Sequence, residues 1–326
     1  MKKILLVDVG FKLPNLALMK LSTYFKSKKY HVDLQRVKSN YYETVKEKIK
    51  IDATGYESVY VSIIFTKNRD ILEISNCEDI HYGGSGYDVK KKLPKEIDDL
   101  QPDYSIYPDN KFSFGFITRG CVRNCYFCIV PKKEGMLYKY NEVKDIAKHK
   151  IVLFFDNNIL AYNKHEEELQ NIIDLKIKCS FNQGLDIRLI NDTNAKLISK
   201  INYYGEYFFA FDNIKDEKLI TEKLLLFQKY ITGTWKSKFF LYCHPDMDIQ
   251  TDILHRIKWC KTHEVLPYLM RDESCWGSKY KNFFIDLAAW CNQPSFFKKL
   301  TFEQFIMKRS NNKDRQKSSI KIYRGK

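Results

Sequence analysis

The sequence predicts an α/β protein in two parts, a short open α/β unit over residues 1–100 and a longer one over residues 112–290. Three observations carry this. Short apolar, β-branched runs alternate with stretches of helical periodicity, the pattern of strands joined by crossover helices and therefore of parallel sheets. The first run, Ile4-Leu-Leu-Val7, is continuous rather than alternating, as in a strand covered on both faces. A chain of 326 residues with 44% hydrophobic and 15% aromatic residues has ample core, which excludes disorder.

In chain order, residues 4–9 read as a buried strand, 16–26 as a helix, 31–34 as a second strand, 58–65 as a third and 79–82 as a fourth. The fourth runs into Gly83-Gly84-Ser85-Gly86, which lacks the spacing of a dinucleotide fingerprint and a Walker lysine, so a tight turn is expected rather than a phosphate cradle. This first unit is Rossmann-like in order. Pro94, Pro102 and Pro108 mark the stretch 93–110 as a linker, centred on residues 101–111. Six strands are then expected at 112–118, 151–156, 179–183, 207–212, 238–244 and 265–271, with helices such as 166–174, 194–200 and 250–261 between them. Residues 291–326 read as a helical segment ending in a basic tail. From Lys308 onward the tail holds eight Lys or Arg and one acid, Asp314, and reads as a solvated terminus or a phosphate-binding arm.

The apolar run after Met1-Lys-Lys is too short for a secretory signal, and no stretch approaches the ~18 apolar residues of a membrane span. Six of the nine cysteines, Cys77, Cys179, Cys243, Cys260, Cys275 and Cys291, are scattered, as buried thiols in a reducing compartment are. A cytoplasmic protein is expected. The net charge of +15, from 55 Lys plus Arg against 40 Asp plus Glu, favours polyanionic partners such as nucleic acid, although part of it reflects a general bias toward lysine.

The remaining three cysteines form the run Arg119-Gly-Cys-Val-Arg-Asn-Cys-Tyr-Phe-Cys-Ile-Val-Pro131, a Cys-x3-Cys-x2-Cys triplet on a loop after a strand. A structural zinc needs four ligands, and the nearest histidine, His149, lies well outside the loop. A structural iron–sulfur cube likewise uses four cysteines, so three leave one iron open to a reactive ligand.

This spacing resembles that of the radical S-adenosylmethionine (SAM) superfamily. The resemblance implies a 4Fe-4S cluster held by Cys121, Cys125 and Cys128, with SAM chelated at the open iron and cleaved reductively to methionine and a 5′-deoxyadenosyl radical. That radical abstracts hydrogen from a substrate. The resemblance further implies a partial (β/α)6 TIM-type barrel over residues 112–290, an external one-electron donor of flavodoxin or ferredoxin type, and an aromatic beside the adenine, here Tyr126 or Phe127. Chemistry in such barrels sits at the carboxyl ends of the strands. On this reading Asp156 and Asn157 serve the methionyl ammonium, Asn182, Gln183 and Asp212 the ribose, and Arg188 either the carboxylate or an ion pair with Asp186. Arg119 and Arg123 are expected to face the anionic cluster or a phosphate, and His244 and Arg271 are the candidate catalytic residues.

Two subfamilies compete. The stretch from Arg119 to Gly135 looks like that of methylthiotransferases, but their second three-cysteine cluster is missing, since the amino-terminal region offers only Cys77. The domain order resembles the cobalamin-binding class, of which residues 1–100 look like a degenerate member. No Asp-x-His-x-x-Gly signature is present, and no cobalamin is expected. The alternatives are a cobalamin-dependent radical SAM methylase and a non-enzymatic iron–sulfur protein that binds nucleic acid; the favoured substrate is a nucleic acid or nucleotide.

Overall fold

The computed structural model describes residues 2–10, 12–38, 47–309 and 311–325. The chain is α/β with parallel sheets, and divides into two compact units, residues 1–111 with 123–135 and residues 112–122 with 136–326. No helix among the described residues is long and apolar enough to cross a membrane.

In the first unit the strands are β1 (Lys3–Val9), β2 (His31–Val37), β3 (Ile49–Asp52), β4 (Ser58–Ile63), β5 (Leu72–Ser75) and β6 (Ile80–Gly83). Four of them form one parallel sheet in the order β2-β1-β4-β6. The apolar run of β1 is explained by burial on both faces. Ile4 and Leu6 pack against Leu18, Leu21 and Phe25 of helix Leu16–Ser27, while Leu5, Val7 and Val9 join Val59, Val61 and Ile63 on the other face. Asn15 starts that helix by accepting from the Ala17 and Leu18 N–H groups. The short pair β3 and β5 was not anticipated, because four-residue strands carry too few residues for a periodic signal.

The glycine run is a tight turn, as expected. Gly84 has φ +93°, and a Cβ there would lie 2.3 Å from the Ile63 carbonyl oxygen. The expected linker is docked on the first unit instead. Lys20 Nζ contacts Asp98 Oδ1 at 3.0 Å, and Asp103 receives Ser22 Oγ and Lys26 Nζ, each at 2.7 Å. Burial alone would raise the Asp103 carboxyl, but these bonds and those from Ser105 hold it at about 2. Proline punctuation signals an interrupted path, with one helical turn at Lys95–Asp98, not a free one.

All six strands expected of the second unit form: β7 (Phe112–Gly115), β10 (Ile151–Phe154), β11 (Lys178–Phe181), β13 (Tyr207–Ala210), β14 (Ser237–Cys243) and β15 (Leu266–Arg271). Shorter additions are β8 (Thr118–Arg119), β9 (Tyr138–Lys139) and β12 (Asn202–Tyr203). The parallel sheets β12-β11-β10-β7 and β13-β14-β15 are linked where the Leu185 N–H donates to the Phe208 carbonyl at 2.7 Å. Alternate strand residues, including Val152, Phe154, Cys179, Phe181, Phe209 and Phe239, enter one core with helices His165–Asp174, Asp192–Lys200, Glu217–Gln228, Leu254–Thr262 and Lys281–Cys291.

The basic tail belongs to this core. Helix Lys313–Tyr323 brings Arg315 onto Asp286, a residue 1% exposed, through Nε at 3.0 Å and Nη2 at 2.6 Å. Arg309 Nε lies 3.3 Å from the same carboxylate, and Ser319 Oγ donates to it at 3.0 Å. The segment is therefore neither a solvated terminus nor a loose arm; part of its charge is spent on a buried acid.

Candidate functional site

The loop that carries the three cysteines begins at the carboxyl end of β7. A buried carboxylate fixes its entry. Asp156, just beyond β10, accepts from the Ile117 N–H at 3.0 Å, the Thr118 N–H at 2.6 Å and the Thr118 hydroxyl at 2.8 Å. Burial pushes its carboxyl up to about 6, against the pull of those same hydrogen bonds. One residue on, the Asn157 side-chain oxygen accepts from the Gly120 N–H at 3.1 Å. Gly120 has φ +85°, a conformation that costs glycine nothing and turns the chain directly into Cys121.

Asp156 and Asn157 were expected on the methionyl ammonium side; in the structure the hydrogen bonds of both go to the start of the cysteine loop. Fully buried, with its two oxygens occupied, Asp156 holds the loop, and Asn157 holds the glycine before the first cysteine. The third residue of that run was not singled out from the sequence. Asn158 is 3% exposed, and its Nδ2 donates to Cys121 Sγ at 3.7 Å and to Asp186 Oδ2 at 3.3 Å. Its position after a strand was the only available signal, shared with the two residues before it.

Arg188 takes the ion-pair alternative. Its Nε lies 2.8 Å from Asp186 Oδ1 and its Nη1 3.0 Å from Asp216 Oδ2. Arg119 is half-buried, with its guanidinium 5.0 Å from the Phe116 ring centroid and 4.8 Å from that of Tyr140, so it is stacked between aromatics in the second unit. Arg123 is half-buried. Asn182 accepts from Ser180 Oγ at 3.0 Å, while Gln183 is exposed. Asp212, raised by burial, accepts from the Tyr242 N–H at 2.8 Å. His244 Nε2 lies 3.9 Å from Asp272, whose other oxygen accepts from the Tyr242 hydroxyl. The Arg271 guanidinium sits 4.6 Å from the Trp276 ring centroid. Thus β14 and β15 bring His244, Tyr242, Asp272 and Arg271 to one end of their sheet.

Within the loop, Tyr126 is 76% exposed and meets Phe127 edge to face at 5.2 Å. The Val130 N–H points at Cys128 Sγ at 3.5 Å. None of the nine cysteines is in a disulfide, and the loop cysteines are half-buried. Among the described residues no three His, Cys, Asp or Glu side chains converge on one ion. A zinc site would require it, since Zn–S bonds of ~2.3 Å in a tetrahedron set sulfurs about 4 Å apart. Ligands of an iron–sulfur cube bind separate irons and need no common centre. Cys121 falls in the second unit and Cys125 and Cys128 in the first; each thiol is half-buried, and Cys121 and Cys128 each accept an N–H, a contact of the kind that tunes cluster sulfurs. Four of the other thiols suit a cube less. Cys179 is pushed up to about 12 by burial, Cys260 and Cys291 are raised by burial, and Cys243 is raised by its hydrogen bond with Cys275 and by burial. Compared with models of known protein families the chain matches none, and a search of curated proteins finds no match.

Proposed function

We propose that this chain is a radical SAM enzyme, in which Cys121, Cys125 and Cys128 hold a 4Fe-4S cluster whose fourth iron binds SAM. One observation carries the reading: a Cys-x3-Cys-x2-Cys loop leaves the carboxyl end of the first strand of a parallel α/β unit, with an amide nitrogen donating to its first sulfur. In parallel α/β architectures ligands collect at that end of the strands. The sheets β7-β10-β11-β12 and β13-β14-β15 each follow the chain order and are linked at Leu185 and Phe208, which supports a partial (β/α)6 barrel for residues 112–290. The order β2-β1-β4-β6 supports a Rossmann-like first unit, which we assign no cobalamin.

A cluster held by Cys121, Cys125 and Cys128 would provide the one-electron reducing chemistry for reductive cleavage of SAM. The chain's own groups bind and orient. Tyr126 and Phe127 offer aromatic faces for the adenine, and Asn182, Gln183 and Asp212 offer amide and carboxylate partners for the ribose hydroxyls. His244 and Arg271, at the ends of β14 and β15, are the groups we assign to the substrate. A flavodoxin- or ferredoxin-type donor supplies the electron, and the charge of +15 favours a nucleic acid or nucleotide as substrate.

Anaerobic reconstitution with iron and sulfide should load about four irons per chain with a broad absorption near ~400 nm. Reduction in the presence of SAM should then release 5′-deoxyadenosine. Replacing the three loop cysteines together by Ala should abolish both. A loaded protein that releases no 5′-deoxyadenosine would instead be the structural iron–sulfur protein. Retention of iron in the triple variant would move the cluster elsewhere.

A further inference from the structure

The second unit contains a chain of polar contacts that the SAM reading does not use. Asp216, its side chain 32% exposed, meets Arg188 Nη1 at 3.0 Å. Arg188 grips Asp186 through Nε at 2.8 Å and Nη2 at 3.3 Å. Asp186, its side chain 6% exposed, accepts Asn158 Nδ2 at 3.3 Å, and the same nitrogen donates to Cys121 Sγ at 3.7 Å. The carboxylate and the sulfur are both acceptors, so the amide cannot turn its oxygen toward them without repulsion, and its donor side is fixed on the sulfur. The amide oxygen, buried, finds no donor among the described residues. A side chain that leaves one polar atom unpaired in order to direct the other at a sulfur is positioned for the sulfur.

We infer that Asn158 is a positioning residue that sets the reduction potential of the cluster, with Asp186 and Arg188 holding it in register. The inference rests on the reading that Cys121 is a cluster ligand. An N–H donated to a ligating sulfur stabilises the more electron-rich, reduced cluster and so raises its potential. Asp186 acts with opposite sign. Its negative charge disfavours the added electron, and Arg188 offsets that charge while keeping the carboxylate aimed at Asn158. The chain would thus ease reduction of the cluster through a neutral amide donor.

The experiment is a redox titration of the reconstituted cluster, followed by electron paramagnetic resonance, in the wild type, Asn158→Leu and Asp186→Asn. At a fixed poise, Asn158→Leu should lower the ratio of reduced to oxidised cluster about tenfold, equivalent to ~59 mV for one electron. Asp186→Asn should raise that ratio. A merely structural role would cost both variants iron and would not move their potentials in opposite directions. Should Asn158→Leu not accumulate folded, Asn158→Val, smaller but likewise without a donor for the sulfur, carries the same expectation. An unchanged potential in an Asn158 variant with full iron overturns the inference and leaves the SAM reading intact. A wild type that takes up no iron overturns the SAM reading and this inference with it.

Discussion

Asp8 and Asp156 occupy equivalent places in the two units, each buried at the carboxyl end of a parallel strand, and they are satisfied differently. Asp156 accepts three donors, all from the two residues Ile117 and Thr118 that open the cysteine loop. Asp8 accepts the Tyr107 hydroxyl at 2.9 Å and lies 3.4 Å from Arg36 Nε on one oxygen, while its other oxygen finds no donor among the described residues. Burial raises both carboxyls. Both are clamps, one on a loop entry and one on the 93–110 segment, whose Tyr107 hydroxyl also receives the Asn15 N–H at 3.1 Å. A polar residue at a strand end is thus an internal tie as readily as a ligand, and the number of donors committed to it sets how much structure depends on it.

That comparison breaks first at Asp156→Ala. Removing the acceptor strands two buried N–H groups and a hydroxyl, and the apoprotein should lose roughly 3–5 kcal/mol in urea unfolding. A loss no larger than that from the equivalent change at Asp8 would show that donor count does not decide. The next effect is in pH. A carboxyl raised to about 6 when folded contributes stability that is complete below its unfolded value near ~3.9 and disappears as pH rises through 6. Wild type should therefore lose about 2.4 kcal/mol more than Asp156→Asn between pH 4 and 7.5, since the amide does not titrate. Equal pH profiles for the two proteins would mean that the buried carboxyl titrates normally. Asn157→Ala should cost ~1 kcal/mol through the unpaired Gly120 N–H, read as a lower thermal midpoint. Tyr107→Phe, the smallest change, should cost about 1 kcal/mol or less and leave the cysteine loop unaffected, which iron loading would verify.

The strands and helices were legible because their apolar periodicity is local, and all six strands expected between residues 112 and 271 form. The cysteine loop was legible because spacing alone constrains a thiol triplet. The roles of the strand-end residues were not. Asp156, Asn157 and Asn158 are adjacent in sequence and alike in character, yet their partners are Thr118, Gly120 and Cys121, residues almost forty positions earlier whose approach depends on the pairing of β7 with β10. Arg188 offered two readings, and Asp216, 28 residues on, completed the ion-pair one. The tail misled for a similar reason. A run of Lys and Arg reads as solvated unless one knows that helix Lys281–Cys291 buries an aspartate opposite it.

That aspartate also governs the order in which the second unit can be completed during synthesis. Asp286 leaves the ribosome before Arg309, Arg315 and Ser319, so a nascent chain that has already made every strand of the unit still carries an anion destined for the interior and lacks its counter-charge. Burying it early is costly, and leaving it out keeps helix Lys281–Cys291 from seating Leu287 and Trp290 in the core. The burial of Asp286 is therefore completed only after every strand of the unit has been made, when helix Lys313–Tyr323 follows.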